Sequence, residues 1–180
     1  MSTPTSLRSI LVANRGEIAR RVFRTAHSMG MRCVAVFVDA DADAPFVADA
    51  DEAVRLADGY LDGEAIIAAA LATGADAIHP GYGFLAENAG FAAAVEAAGL
   101  VWVGPTPDVI SSMGDKLAAK EAALAAGVPT LPSSDDPTAD AELGHPILVQ
   151  PAVGCRGPGL HPLAAPPHLP HPSPPPHPPP

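Results

Sequence analysis

The stretch Ser9–Val38, SILVANRGEIARRVFRTAHSMGMRCVAVFV, decides the fold, because two short apolar runs flank a segment of helical period. SILVA (Ser9–Ala13) reads as a buried first strand and CVAVFV (Cys33–Val38) as a second. Between them Ile18, Val22, Ala26 and Met29 recur at helical spacing, Arg20, Arg21, Arg24 and His27 lie off that face, and Gly30 is placed to cap the end. Strand, helix, strand is the unit from which parallel sheets are built, since a parallel neighbour needs a crossover.

The same alternation continues outward. AIIAAALA (65–72) reads as a helix before the strand ADAIH (75–79), and FAAAVEAAG (91–99) as a helix before LVWVG (100–104). DVISSM (108–113) and DKLAAKEAALAAG (115–127) read as two further helices. The expected fold is therefore α/β with a parallel sheet.

Composition narrows the classes of function. The 180 residues are 48% hydrophobic, enough to bury a core, and carry a net charge of −10 with a pI near 4.9, the wrong sign for a nucleic-acid partner. No apolar run approaches the roughly 18 to 20 residues that cross a bilayer, and the first residues turn polar too soon for a signal-peptide core. The expectation is a cytoplasmic chain with no membrane partner. Cys33 and Cys155 make neither a disulfide framework nor a metal-ligand spacing, so both are expected as free thiols and no metal site is expected.

Ligands of open α/β sheets gather beyond the carboxyl ends of the strands. After the first strand stands ANRGEIARR, without the G-x-G-x-x-G that would let a dinucleotide pyrophosphate approach a helix N-terminus, so a nicotinamide-dependent oxidoreductase loses its main support. Asp39 ends the second strand, where a ribose-binding acid could sit, but an acidic turn is the simpler reading. In DADADAPFVADADE (39–52), Asp39, Asp41 and Asp43 mimic the start of a calcium loop. Ala44 and Ala50 stand where such a loop needs glycine and a bidentate glutamate, so the stretch reads as a solvated acidic surface. The densest signal is HPGYGFLAEN (His79–Asn88), a strand that stops at proline, two glycines, and Glu87 with Asn88 opening a helix. It is either a ligand-facing loop or a tight turn. In SSMGDKLAAK (111–120), Asp115 occupies an N-cap and Lys116 the first turn, where its charge opposes the helix dipole; a ligand anion is one reason to keep it there, and a plain surface lysine is the other reading.

NRGEIA, HPGYGFLAEN and MGDK, in this order and within an almost continuous likeness from about Ile10 to Val149, resemble the N-terminal domain of biotin carboxylases, the ATP-grasp subunits or domains of acyl-CoA carboxylases and pyruvate carboxylase. The resemblance implies a Rossmann-like first domain and an ATP- and Mg²⁺-dependent ligase that activates bicarbonate as carboxyphosphate and carboxylates N1 of biotin on a carrier domain. It implies that Lys116 contacts ATP, that Tyr82, Gly83, Glu87 and Asn88 border the active site, and that the first helix, with Arg24, contributes to a homodimer. Biotin carboxyl carrier and carboxyltransferase subunits would be the other partners.

Two departures accompany the likeness. The connection ADG (57–59) is shorter than the proline-containing loop usual in the family. The strand ILV (147–149) is followed by Gln150, where the family has an ATP-binding lysine, and by VGCRGPG in place of a flexible glycine run. Glutamine brings a donor but no charge, and proline removes both a donor and freedom. From Pro151 the composition changes: residues 151–180 hold 13 of the 22 prolines, four of the seven histidines and a single charged residue, Arg156. The expected organisation is a Rossmann-like domain over 1–128, an incomplete start of an ATP-grasp domain over 129–153, and a disordered tail over 154–180. Many of the tail's residues have codons that can be rich in G and C, and the tail is expected to arise from a shifted reading frame. Two readings stay open: a biotin carboxylase incomplete as it stands, and a non-catalytic fold or subunit-interaction module.

Overall fold

The computed structural model describes residues 7–134, 146–149 and 161–163. They divide into two compact units, one reaching to Met113 and one beginning at Gly114.

The first unit is a five-stranded parallel sheet with helices on both faces. In chain order it contains β1 (Ser9–Val12), α1 (Gly16–Ser28), β2 (Arg32–Phe37), a 3₁₀ turn (Asp39–Asp41), α2 (Pro45–Ala48), β3 (Glu52–Arg55), α3 (Gly63–Thr73), β4 (Ala77–His79), α4 (Ala89–Ala97), β5 (Val101–Trp102) and α5 (Pro107–Gly114). The sheet order is β3-β2-β1-β4-β5, with Ile10 opposite Cys33 on one side and Ala77 on the other.

Strand alternation sorts the core into two layers. Leu11, Val34, Val36 and Ile78 point to one face, where they meet Ile66, Ala69 and Ala70 of α3, Phe91, Ala92 and Val95 of α4, and Ile110 of α5. Ile10, Val12, Cys33, Ala35 and Ala77 point to the other, against Ala19, Phe23 and Ala26 of α1 and Phe46 of α2. Period two within a strand thus feeds two separate helix layers. Phe91 packs edge-on to Trp102 with ring centroids 5.6 Å apart.

The expected strands and helices are present, with three differences. The buried face of α1 is Ala19, Phe23 and Ala26; Ile18 and Val22 are half-buried at its flank and Met29 is 70% exposed. Phe23 carries the largest apolar area of the helix, and its burial sets the helix phase one residue away from the expected stripe. Gly30 ends the helix at φ +74°, as its position implied. Second, the acidic stretch folds into the 3₁₀ turn and α2 and ends on Glu52, the first residue of β3, an edge strand in which Ala53 and Val54 sit between exposed Glu52 and Arg55. Third, that stretch is more than a solvated surface. Asp39 pairs with Arg55, Asp41 with Arg15, Asp49 with Arg20, and Asp51 with His27.

The second unit contains α6 (Lys116–Ala125) and a two-stranded antiparallel ladder of β6 (Ile147–Val149) with β7 (His161–Leu163). Asp115 caps α6 as its position implied: its Oδ1 accepts from the amides of Leu117 and Ala118 at 2.8 and 3.1 Å. Of the proline-rich segment 154–180, only the three β7 residues are described; Gln150, Cys155 and the rest of the tail lie outside the described residues. No helix among the described residues is long and apolar enough to cross a membrane.

Candidate active site

The order β3-β2-β1-β4-β5 reverses direction between β1 and β4, which is where an open parallel sheet leaves a crevice beyond its carboxyl edge. The loop after β1 (Ala13–Arg15) and the loop after β4 (Pro80–Asn88) meet there. Asn14, fully buried, joins them: its Nδ2 donates to the carbonyl oxygens of Pro80 at 2.8 Å and Tyr82 at 2.9 Å, and its Oδ1 accepts from the Arg15 amide at 2.9 Å. Both N–H groups and the carbonyl of the side chain are thereby used, as a buried amide requires.

Gly81 (φ +67°) lies directly against this junction. A Cβ there would stand 2.6 Å from Asn14 Nδ2 and 2.7 Å from Ile18 Cγ2, so only glycine lets the loop settle beside the start of α1. The loop therefore fills the place where a dinucleotide-binding sheet receives its pyrophosphate. His79 Nδ1 accepts from the Gly81 amide at 2.9 Å, and burial lowers the imidazole's pKa, so the neutral ring that accepts this bond is the favoured form.

The rest of the loop is held from two sides. Tyr82, 63% exposed, donates its hydroxyl proton to Glu17 Oε1 at 2.7 Å. Gly83 and Phe84 both have positive φ, +69° and +41°, and Phe84 stacks on Tyr60 with centroids 5.2 Å apart. A phenylalanine in that region is strained and persists only where its surroundings hold it. Tyr60 in turn donates to Asp41 Oδ2 at 2.5 Å, and Arg15 clasps the same carboxylate through Nε, at 2.7 Å, and Nη2. Arg15 also lies over the Tyr60 ring. The guanidinium, then the tyrosine hydroxyl, hold the Asp41 carboxyl below its usual range, while burial, then Asp41, push the Tyr60 phenol up to about 12. Arg15, Asp41, Tyr60 and Phe84 thus link the loops after β1, β2, β3 and β4 into one support.

Asp41→Asn removes the charge that binds Arg15 and Tyr60. Half of the Arg15 side chain remains in water, so the expected loss is near the low end for a broken buried pair, about 2 kcal/mol by urea unfolding. Because Asp41 is depressed in the folded state, its contribution is present above the unfolded carboxylate pKa of about 4 and disappears as pH falls through that value and below. The acid limb of the stability profile should be shallower in Asp41→Asn than in the parent; equal slopes below about pH 4 would contradict this assignment.

Of the residues singled out in the sequence, Tyr82, Gly83, Glu87 and Asn88 all lie in the switch-point loop. Asn88 has a defined structural task, its Oδ1 accepting from the Phe91 amide at 2.9 Å to cap α4. Glu87 is exposed. Lys116 stands in the first turn of α6 in the second unit, half-buried. Arg24 is exposed on α1, with Arg20, Phe23, His27 and Asp49 around a shallow groove. Residues not singled out for a role there, Asn14, Arg15, Glu17, Asp41 and Tyr60, build the support beneath the loop.

Residues 6–110 match the model of the family described as biotin carboxylase, N-terminal domain. The chain belongs to that family. It is 49% identical over 168 residues to the mitochondrial methylcrotonoyl-CoA carboxylase subunit alpha of Oryza sativa subsp. japonica, covering 86% of this chain and 23% of the relative. It is 46% identical to the biotin carboxylase of Pseudomonas aeruginosa, covering 86% and 37%. Among solved structures, the biotin carboxylase domain dimer of Hydrogenobacter thermophilus 2-oxoglutarate carboxylase, in complex with MgADP, ADP and bicarbonate, superposes with a TM-score of 0.83 at 41% identity over 88% of this chain and 38% of that one. Rhizobium etli pyruvate carboxylase gives 0.81 at 35% identity over 88% and 16%. The chain spans well under half the length of each. The biotin carboxylase resemblance read from NRGEIA, HPGYGFLAEN and MGDK is thus correct, and so is the parallel α/β fold.

Proposed function

We propose that the chain forms the N-terminal part of an ATP-dependent biotin carboxylase of an acyl-CoA carboxylase, with the loop Pro80–Asn88 as one wall of its active site. The observation that carries this reading is the place of HPGYGFLAEN: the loop occupies the topological switch point, where α/β sheets build ligand sites, and the family match runs across it. Tyr82, Gly83, Glu87 and Asn88 border the site with different tasks. Asn88 is committed to capping α4 and the Tyr82 hydroxyl to Glu17, which leaves Glu87, exposed and without a hydrogen bond or ion pair among the described residues, as the carboxylate available to a ligand.

Lys116 is the residue of the described chain suited to ATP, a cation in the first turn of a helix whose leading amides are already satisfied by Asp115. Among the described residues no three-ligand set stands near the switch-point loop, so magnesium would draw its ligands from elsewhere. ATP bound with Mg²⁺ supplies the phosphoryl group that activates bicarbonate before the carboxyl group passes to biotin. Gln150 offers an amide but no charge at the place of the family's second ATP lysine. A homodimer through α1 and Arg24, carrier and carboxyltransferase partners, and a cytoplasmic setting, suited to the free buried thiol of Cys33, complete the proposal.

Complementation in trans tests it. The chain, mixed with the remaining C-terminal part of the Pseudomonas aeruginosa biotin carboxylase, should give bicarbonate-dependent ATP hydrolysis, and Glu87→Gln should lower it at least about tenfold through lost positioning. Association of the two parts without hydrolysis would favour the non-catalytic module instead.

A further inference from the structure

At the opposite edge of the sheet three side chains converge that the proposed active site does not use. His27 lies in the last turn of α1, Cys33 is the second residue of β2, and Asp51 immediately precedes β3. Their ligand atoms, an imidazole nitrogen, the thiol sulfur and a carboxylate oxygen, all lie within 4.8 Å of one another. Asp51 Oδ2 accepts from the Cys33 amide at 2.7 Å and stands 2.9 Å from His27 Nε2. Cys33 is fully buried, whereas the side chains of His27 and Asp51 are 40% and 47% exposed. The sulfur forms a floor, and the two exposed groups stand over it on separate elements with access to solvent.

Nitrogen, sulfur and carboxylate oxygen are the donors that zinc takes, and its bond lengths of about 2.0 to 2.3 Å place tetrahedral neighbours roughly 3.3 to 3.6 Å apart. The His27–Asp51 separation of 2.9 Å is shorter than that and the sulfur lies within 4.8 Å of both atoms, so a short opening of the pair and a small adjustment around the sulfur complete the geometry. We propose that His27, Cys33 and Asp51 form a binding site for a borderline-soft divalent cation of the zinc type, with water in the fourth position. The backbone N–H of Cys33 fixes the carboxylate, the outer-sphere orientation that metal sites depend on. On binding, the Cys33 S–H bond breaks and its proton passes to water, a metal–sulfur bond forms, and the hydrogen bond between His27 and Asp51 gives way to one metal bond each. Burial, then Asp51, push the free thiol up to about 11, and coordination to a dication is what brings the thiolate within reach at neutral pH. The cation would tie the end of α1 to β2 and the start of β3, away from the switch-point loop.

The test uses the full 180-residue chain carrying Cys155→Ser, so that Cys33 is the sole thiol. Cobalt(II) is titrated in as a spectroscopic stand-in and then displaced by zinc. The proposal expects a sulfur-to-cobalt charge-transfer band that saturates at one equivalent per chain, disappears on adding zinc, and accompanies a rise in the thermal midpoint. Histidines of the proline-rich tail cannot produce that band. Cys33→Ser should abolish it. Since loss of even an outer partner costs metal sites about 10- to 100-fold, His27→Gln and Asp51→Asn should each weaken binding at least about 100-fold. His27 is exposed, so its replacement leaves the core intact and keeps the test decisive if Cys33→Ser fails to fold. No band at saturating cobalt, or a band unchanged in His27→Gln and Asp51→Asn, overturns the site and leaves an ordinary His27–Asp51 ion pair; binding confined to the tail overturns it equally.

Discussion

Gly81→Ala should destabilise the first unit by about 3 kcal/mol, the sum of roughly 1 to 2 for an L-residue held at positive φ and a further 1 to 3 for overpacking. The contact term dominates the argument because neither neighbour can yield. Asn14 Nδ2, 2.6 Å from the added methyl, is held by the Pro80 and Tyr82 carbonyls, and Ile18 Cγ2, 2.7 Å away, belongs to a residue fixed in the first turn of α1. Gly30→Ala is the matched control, since its φ of +74° is similar and open space surrounds it. It should cost only the backbone part, about 1 kcal/mol. Urea unfolding of both variants separates the terms. If the two losses agree within about half a kcal/mol, Gly81 is held by its turn alone and the junction with Asn14 carries no packing constraint. Asn14→Leu provides the complementary view: it orphans the buried Pro80 carbonyl and the part-buried Tyr82 carbonyl and should cost about 2 kcal/mol.

These residues mark the boundary of what the sequence makes legible. The strands and helices around the first crossover follow from local period, and Gly30, Asp115 and Asn88 announce helix ends by rules that act over three or four residues. The face of α1 is ambiguous in the sequence because two apolar stripes, Ile18–Val22 and Ala19–Phe23–Ala26, compete, and only the sheet beneath decides between them. β3 was hidden because an edge strand needs few apolar residues, and Glu52 and Arg55 mask Ala53 and Val54. In the sequence Asn14 registers mainly as a missing glycine; its task becomes visible only when the β4 loop, 66 residues later, presents two carbonyls to it. The acidic stretch shows the same limit, since Asp39, Asp41, Asp49 and Asp51 acquire partners from other elements. His27, Cys33 and Asp51 are brought together solely by the crossover. HPGYGFLAEN stood out because a proline, two glycines and a helix cap compress one loop's conformational demands into ten residues.

The largest effect is expected in catalysis. By themselves the 180 residues should show no measurable biotin carboxylation, and replacing everything after Val149 with the corresponding segment of a related biotin carboxylase should restore bicarbonate-dependent ATP hydrolysis. Phosphoryl transfer rests on positioning and on electrostatic stabilisation by several cations and donors acting together, and removal of one such group commonly costs about 10²- to 10³-fold in rate. Of those groups the proposed function assigns to the described residues a single ATP lysine, Lys116, and one lysine in the first turn of a helix should give ATP an affinity no better than roughly millimolar. The chimera adds what the family resemblance assigns to the following domain: the second ATP lysine in place of Gln150, the glycine run over the phosphates, and the magnesium carboxylates. Lys116→Ala within the chimera should then lower hydrolysis about 10²-fold while leaving the urea midpoint of the first unit in place, because Lys116 lies in the second unit. Appreciable carboxylation of free biotin by the unmodified chain would contradict this account. A chimera that folds and dimerises yet hydrolyses no ATP would contradict it from the other side, by showing that the defect lies in residues 1–149 and that the loop at the sheet's switch point serves only the fold.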